Sequence, residues 1–155
     1  MKLATGNAGM LVGLAIAGLW LFGGAAWADD KEKYEAKVKE NDATIGVIAG
    51  VINYVCPKIA PVDSKICETD DPVKKAVELA KHADEGKPVQ SRPAADQFID
   101  AVEQFKQHYP LRERARDYAK KGDFANAFGY EEYAWHYLVK TATHGIAAKN
   151  IVDTK

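Results

Sequence analysis

Apolar residues recur at the spacing of an amphipathic helix in two central stretches of this 155-residue chain. The first stripe follows Asp71-Pro72, an N-cap with proline at the first helical position, and we expect Gly86 to end that helix. The second stripe predicts a helix over about 94–108 that Pro110 ends. Residues 86–93 are predicted to be a linker. The apolar positions are Val73, Ala76, Val77 and Ala80, then Phe98, Ala101, Val102 and Phe105.

The segment around residues 30–55 changes from charged to apolar. Its first part, DDKEKYEAKVKEND, has charges of both signs at helical spacing, which is typical of a solvated helix face. Its second part, ATIGVIAGVINYV, predicts a buried central helix, and its β-branched residues leave a strand open as the alternative. Gly46 and Gly50 lie four apart, and we expect them to let another helix of the same domain approach closely.

The C-terminal third contains a helix stop directly followed by a helix start. Lys120-Lys121-Gly122-Asp123 places cations in a last turn, then a glycine, then an aspartate cap. A final helix is predicted from about residue 124 into the 140s, with a break at Gly145 left open. The sequence therefore predicts an all-α fold, a small bundle of four to five helices formed by residues 29–155.

Residues 1–28 have the order of a secretory signal peptide. Lys2 precedes an apolar run that starts near Gly9, and the small-x-small sequence Ala26-Trp27-Ala28 ends it. We expect cleavage after Ala28, because six glycines make this segment a poor permanent helix. If it is not cleaved, the twenty uncharged residues 9–28 are long enough to attach the protein to the inner membrane. In either case the body is predicted to be exported, to the periplasm or the extracellular space.

The chain has two cysteines, Cys56 and Cys67. In an oxidising compartment such a pair in a small domain usually forms a structural disulfide, and we predict one here. The spacing is too long for a redox C-x-x-C motif, and the neighbouring sequence lacks the two further ligands that a zinc site needs.

Charge and missing motifs argue against several functions. The 21 basic and 22 acidic residues give a formal net charge of −1, which offers no electrostatic reason to bind nucleic acid or an anionic membrane surface. No motif for covalent haem, a zinc protease, a phosphate loop, a dinucleotide or a serine hydrolase is present. Both methionines, Met1 and Met10, lie in the leader, and the two serines, Ser64 and Ser91, are predicted in the cysteine loop and at a helix cap. We therefore predict a protein that is not an enzyme and that carries no cofactor and no metal.

Five aromatic residues crowd the stretch FGYEEYAWHYL. On a helix its three tyrosines share one face, whereas Phe128 and Trp135 share another. We predict that the five contact a protein partner, because tyrosine and tryptophan supply much of the binding energy at interfaces. The alternative is a core helix whose hydroxyls reach the rim. The predicted partner-binding residues are Phe128, Tyr130, Tyr133, Trp135 and Tyr137.

Glu132 and His136 lie one helical turn apart and could share a proton or a metal ion. A metal centre in a helical bundle needs such motifs from several helices, and only one helix offers this pair. The other histidines, His82, His108 and His144, are predicted to lie on the surface or at its rim.

Residues 111–139 resemble a single tetratricopeptide unit. Ala115, Tyr118, Gly122, Ala127 and Ala134 have the spacing at which small residues let two antiparallel helices close and glycine makes the turn. The pattern is not followed at positions 114 and 131, where bulky apolar residues are usual, or at position 139, near the usual proline. The resemblance implies protein or peptide binding, which in that family needs several stacked units.

Together these features predict an interaction or assembly subunit of a cell-envelope complex, with a larger protein complex as its partner. The alternative is a periplasmic protein that binds a small apolar ligand or a metal within the bundle. For that alternative the candidate residues are Glu132, Trp135, His136 and Tyr137.

Overall fold

The computed structural model describes residues 29–154. They form four α-helices, α1 (Asp30–Ile59), α2 (Pro72–Asp84), α3 (Arg92–Lys120) and α4 (Phe124–Asp153), and one 3-10 turn, Lys65–Cys67. This range contains no strand, so the all-α prediction is confirmed and the strand alternative for the apolar part of α1 is wrong. None of its helices is long and apolar enough to cross a membrane. The leader, residues 1–28, and its predicted cleavage lie outside the described residues.

Aspartates cap three of the helices, and two of these caps, Asp71 and Asp123, are as the sequence predicts. Asp71 accepts hydrogen bonds from the backbone N–H groups of Val73 and Lys74, and Pro72 occupies the first turn of α2. Asp29 and Asp123 cap α1 and α4 in the same way. Ser91 occupies the predicted cap position before α3, but its hydroxyl makes no capping bond and is buried without a hydrogen-bond partner among residues 29–154.

α3 and α4 are longer than predicted. Pro110 does not end α3, which continues to Lys120. Proline removes the bond to the carbonyl four residues earlier, on Lys106, but both residues are exposed, so water can hydrate that carbonyl. Phe105 and Arg112 are buried on either side of the proline, so packing holds α3 continuous. α4 likewise runs unbroken past Gly145.

α1 and α4 run in the same direction. Tyr34 contacts Phe124 near the start of both helices, with ring centroids 6.0 Å apart, and the Tyr54 hydroxyl donates to Asp153 near their ends, at 2.6 Å. α3 runs antiparallel to α4 as the other arm of a hairpin. Its start lies beside the end of α1, because the Gln90 backbone N–H donates to the Ile59 carbonyl at 2.8 Å.

α2 also runs in the direction of α1. Lys75, in its first turn, donates to Asn53 at 2.8 Å, whereas the carbonyl of Ala83, near its end, accepts from Arg92 at 2.7 Å. Residues 60–71 must therefore return along the bundle before α2 can begin. We call residues 60–71 the return segment.

The apolar core lies in the half of the bundle that α2 covers. α2 has 13 residues and α1 has 30, so α2 covers only part of its length. Buried side chains from all four helices meet there, including Val55, Leu79, Phe98 and Leu138. In the other half three helices meet, and the only buried residue of α1 before Ile48 is Asn41.

Gly46 and Gly50 do not mediate packing within the domain. Both are exposed, and no described atom lies within 4 Å of the position that a Cβ would occupy. The expectation of a close intramolecular helix contact at these two glycines is therefore wrong. Gly145 makes such a contact instead, because a Cβ there would lie 3.2 Å from Cγ1 of Val51.

Candidate functional site

The predicted disulfide is present. Cys56 and Cys67 are bonded, with Cα atoms 5.9 Å apart. Cys56 lies on the core side of α1 and is fully buried, whereas Cys67 belongs to the 3-10 turn of the return segment. The bond therefore attaches the return segment to α1, which positions the start of α2.

Small residues bring α3 and α4 close together at the hairpin turn. Ala115, Ala127 and Ala134 are fully buried there, and Gly122 has φ +77°, a conformation that glycine adopts without strain. These are positions of the tetratricopeptide-like pattern. The helices are 29 and 30 residues long, however, so the pair is much longer than a unit of about 34 residues. The likeness concerns the turn and its packing.

Four tyrosines share the face of the hairpin on which α3 meets α4, and we call them the tyrosine seam: Tyr118, Tyr130, Tyr133 and Tyr137. The rings of Tyr118 and Tyr130 stack at a centroid distance of 5.4 Å and an angle of 15°, which joins the two helices. Tyr133 and Tyr137 follow Tyr130 on the same face of α4. Tyr133 is 63% exposed, whereas Tyr118, Tyr130 and Tyr137 are half-buried.

Three cations lie over rings of the seam. Arg114 lies 5.9 Å from the ring centroid of Tyr130, Lys121 lies 5.8 Å from that of Tyr118, and Lys140 lies 5.5 Å from that of Tyr137. Each cation is attracted by the negative face of its ring. Within residues 29–154, none of the three has a carboxylate within 4.0 Å.

The structure divides the five predicted partner-binding residues into two groups. Tyr130, Tyr133 and Tyr137 belong to the seam. Trp135 lies on the side of α4 that faces α1, where Lys37 is 4.9 Å from its ring centroid. Phe128 is two turns before Trp135 on that side and is half-buried. The five residues therefore do not form one surface. The three tyrosines share one face of α4, and Phe128 and Trp135 share another, as the helical spacing predicts.

The α3 side of the seam is missing from the sequence prediction. Arg114, Tyr118 and Lys121 are spaced by four and three residues, which places them on one face of a helix. That spacing is visible in the sequence. The tetratricopeptide-like pattern includes Tyr118 as a packing position of the hairpin and does not indicate a binding surface there.

A buried polar cluster joins α1, α3 and α4 below the seam. The Glu131 carboxylate, 1% exposed, accepts from Arg112 Nε at 3.0 Å and from Asn41 Nδ2 at 2.5 Å. Arg112 also donates to Asp42 at 2.8 Å. Burial alone would lower the pKa of Arg112, but the carboxylates of Glu131 and Asp42 outweigh it and raise that pKa. The pKa of Tyr34 is raised by burial and by the nearby Glu131 carboxylate.

This cluster could be anticipated only in part. Glu131 occupies a position where the tetratricopeptide pattern has a bulky apolar residue, which is a signal that its side chain is buried. The other departure from the tetratricopeptide pattern is at Arg114, which is exposed. The pattern does not indicate that Arg112 is buried. The three charged or polar partners lie on three helices, so no local spacing relates them.

His108 is buried, contrary to the expectation of a surface or rim histidine. It is 1% exposed, and its Nδ1 donates to the backbone carbonyl of Phe105. Burial lowers the pKa of His108, and the positive charges of Arg112 and Arg116 lower it further against the opposing effect of that hydrogen bond. Burial therefore favours the neutral form of the imidazole over the charged form.

The residues considered for a ligand or metal within the bundle do not converge. Glu132 and His136 are exposed on the outer face of α4, and Trp135 and Tyr137 point to opposite sides of that helix. An apolar cavity lined by residues of all four helices has a volume of about 20 Å³, which is room for one water molecule. Among residues 29–154, no three histidine, cysteine or carboxylate side chains are grouped as metal ligands.

Comparison with known proteins does not place the chain in a family. No family model matches it, and no curated protein or solved structure is significantly similar to it.

Proposed function

We propose that this protein is a non-catalytic, exported subunit that binds a protein partner of the cell envelope through the tyrosine seam. The observation that carries the proposal is the solvent exposure of the Tyr133 side chain. Its side chain is 63% exposed, between neighbours that the fold holds in place. Tyrosine is enriched at binding hot spots because a large, amphipathic ring has few rotatable bonds to immobilise.

The seam is supported by a rigid base. Tyr130 stacks on Tyr118 of the facing helix, and the buried cluster of Arg112 and Glu131 lies beneath the same stretch of α4. A surface that is already ordered loses less conformational entropy when it binds. The disulfide supports the exported location, because such bonds persist in oxidising compartments.

Site-specific photo-crosslinking in the native envelope tests this function. We would place p-benzoylphenylalanine at position 133 of the full chain, and as a matched control at position 74, an exposed position of α2. The proposal predicts a discrete adduct from position 133 that is absent from position 74. The Tyr137→Ala substitution should weaken that adduct at a temperature well below the melting point of the variant, where the variant is still folded. No adduct from position 133, or equal adducts from both positions, would contradict the proposed function.

A further inference from the structure

The cations of the tyrosine seam differ from three other cations of α3 and α4 in the groups that they contact. Arg92, Lys120 and Lys149 each pair with a carboxylate of their own helix, at 2.7, 3.3 and 2.6 Å. Lys106 and Arg116 of α3 also have no carboxylate within 4.0 Å among the described residues, but neither lies over a ring of the seam. Arg114, Lys121 and Lys140 instead lie over tyrosine rings, with their charge uncompensated by a carboxylate among the described residues. The seam therefore presents positive charge and aromatic surface together.

From this arrangement we propose that the partner segment bound by the tyrosine seam is an acidic stretch of protein. The inference rests on the proposed function and adds the chemistry of the partner. A carboxylate that reaches one of the three cations forms a charge-assisted hydrogen bond, while the neighbouring partner residues pack against the exposed ring of Tyr133.

The dimensions suit an extended segment. The stretch of α4 from beside Lys121 to Lys140 covers roughly 20 Å at 1.5 Å per residue. An extended chain spans that length with about six residues. Lys121, Arg114 and Lys140 then lie near its start, middle and end, so every second or third residue of the segment meets a cation.

The nearby carboxylates leave this charge in place. Asp117 precedes Tyr118 but is paired with Lys120 at 3.3 Å. Glu132 is exposed, but it lies about 100° around α4 from Tyr133, on the outer face of the helix. An acidic partner is therefore attracted along the seam and is repelled by Glu132 at its outer edge and by Asp123, the carboxylate that caps α4, at the hairpin end.

The first experiment measures binding of two matched probes to the purified exported domain by fluorescence anisotropy. One probe is a fluorescein-labelled decapeptide of eight glutamates and two tryptophans, and the other has glutamine in place of each glutamate. The proposal predicts at least about 10-fold tighter binding of the acidic probe and a loss of that preference at high salt. Equal affinity for the two probes would overturn it.

A triple substitution, Arg114→Gln, Lys121→Gln and Lys140→Gln, tests whether the seam is responsible. It should raise the Kd of the acidic probe about 10-fold. The matched control neutralises Lys39, Lys65 and Arg116, which also lack an ion-pair partner among the described residues but lie off the seam. The control should change the Kd less than 2-fold, and equal effects of the two triples would overturn the proposal.

Anionic vesicles provide the competing outcome. Phosphatidylglycerol vesicles that bind through the three seam cations, when the acidic probe does not, would show that the surface meets lipid, and would overturn the inference. The photo-crosslink separates the two proposals. If the adduct from position 133 persists in the seam triple variant, the proposed function stands and the acidic partner is wrong. If the wild-type seam gives no adduct, the proposed function itself fails.

Discussion

The close contact between Gly145 and Val51 makes a prediction about stability that depends on tertiary packing. Gly129 and Gly145 both lie inside α4, and replacing glycine by alanine in a helix interior stabilises a protein by about 0.5–1 kcal/mol when nothing else changes. At Gly129 no described atom lies within 4 Å of the new Cβ. Gly129→Ala should therefore raise the free energy of unfolding by that amount.

At Gly145 the same methyl group would be crowded by a buried side chain. Its Cβ would lie 3.2 Å from Cγ1 of Val51, a side chain that is 9% exposed. Valine in a helix has one strongly preferred rotamer, so it cannot easily turn away, and overpacking of this kind costs about 1–3 kcal/mol. After the gain in helix propensity, Gly145→Ala should be about 1 kcal/mol less stable than wild type.

Urea unfolding followed by circular dichroism measures both variants, and a double-mutant cycle with Val51→Ala identifies the cause. Removing the valine methyls should relieve the contact, so the coupling energy between positions 51 and 145 should be about 1 kcal/mol or more. The packing argument fails if Gly145→Ala stabilises the protein as much as Gly129→Ala does, because Val51 would then have moved aside without cost.

Three further predictions concern the disulfide, the buried ion pair and the buried histidine. Replacing Cys56 and Cys67 by serine should lower the free energy of unfolding by roughly 3 kcal/mol, measured against the oxidised wild type in urea; an unchanged midpoint would show that the closed loop contributes nothing. Arg112→Ala should cost about 3–5 kcal/mol because it leaves the Glu131 carboxylate buried without its cation, whereas replacing both residues by leucine should cost less than that single change. The free energy of unfolding should fall as the pH drops below 6.5, the ordinary pKa of histidine, because His108 takes up a proton in the unfolded chain but not in the fold, where its pKa is lowered. The slope from this one group is at most about 1.4 kcal/mol per pH unit. Thermal unfolding between pH 7 and pH 5 measures it, and the His108→Gln variant should not show this loss of stability.

Local chemistry accounts for the features that the sequence predicted well. The caps at Asp71 and Asp123 and the stops at Gly86 and Gly122 depend on neighbouring residues, which a sequence displays, and the two cysteines had no other cysteine to pair with. The all-α class follows from the same periodicity. These predictions needed no knowledge of which helices touch.

Features that depend on long-range packing were missed. Pro110 ends a helix only if nothing compensates for the lost bond, and the compensation comes from the buried residues on both sides of it. His108 lies only two residues before that proline and is 1% exposed, which a helix predicted to end at Pro110 does not indicate. Asn41, Arg112 and Glu131 meet across three helices, which no spacing within one helix can reveal.

The sequence predicts the α4 side of the candidate surface but not its α3 side. The tyrosines of α4 follow from helical spacing, whereas their combination with Arg114, Tyr118 and Lys121 required the angle at which α3 crosses α4. The predicted site groups Trp135 with the tyrosines. In the fold Trp135 lies on the α1 side of α4, whereas the tyrosines lie on its α3 side.

The uneven placement of the core along α1 implies that its two halves open independently. Before Ile48 the helix is held by one buried asparagine and half-buried side chains, and from Ile48 to Ile59 by an apolar cluster and a covalent bond. Amide protons of the first half should exchange with solvent through local fraying, whereas those of the second half should exchange only through global unfolding. The first half of α1 would thus detach before the rest of the bundle opens, while the hairpin of α3 and α4 that bears the tyrosine seam keeps its own packing.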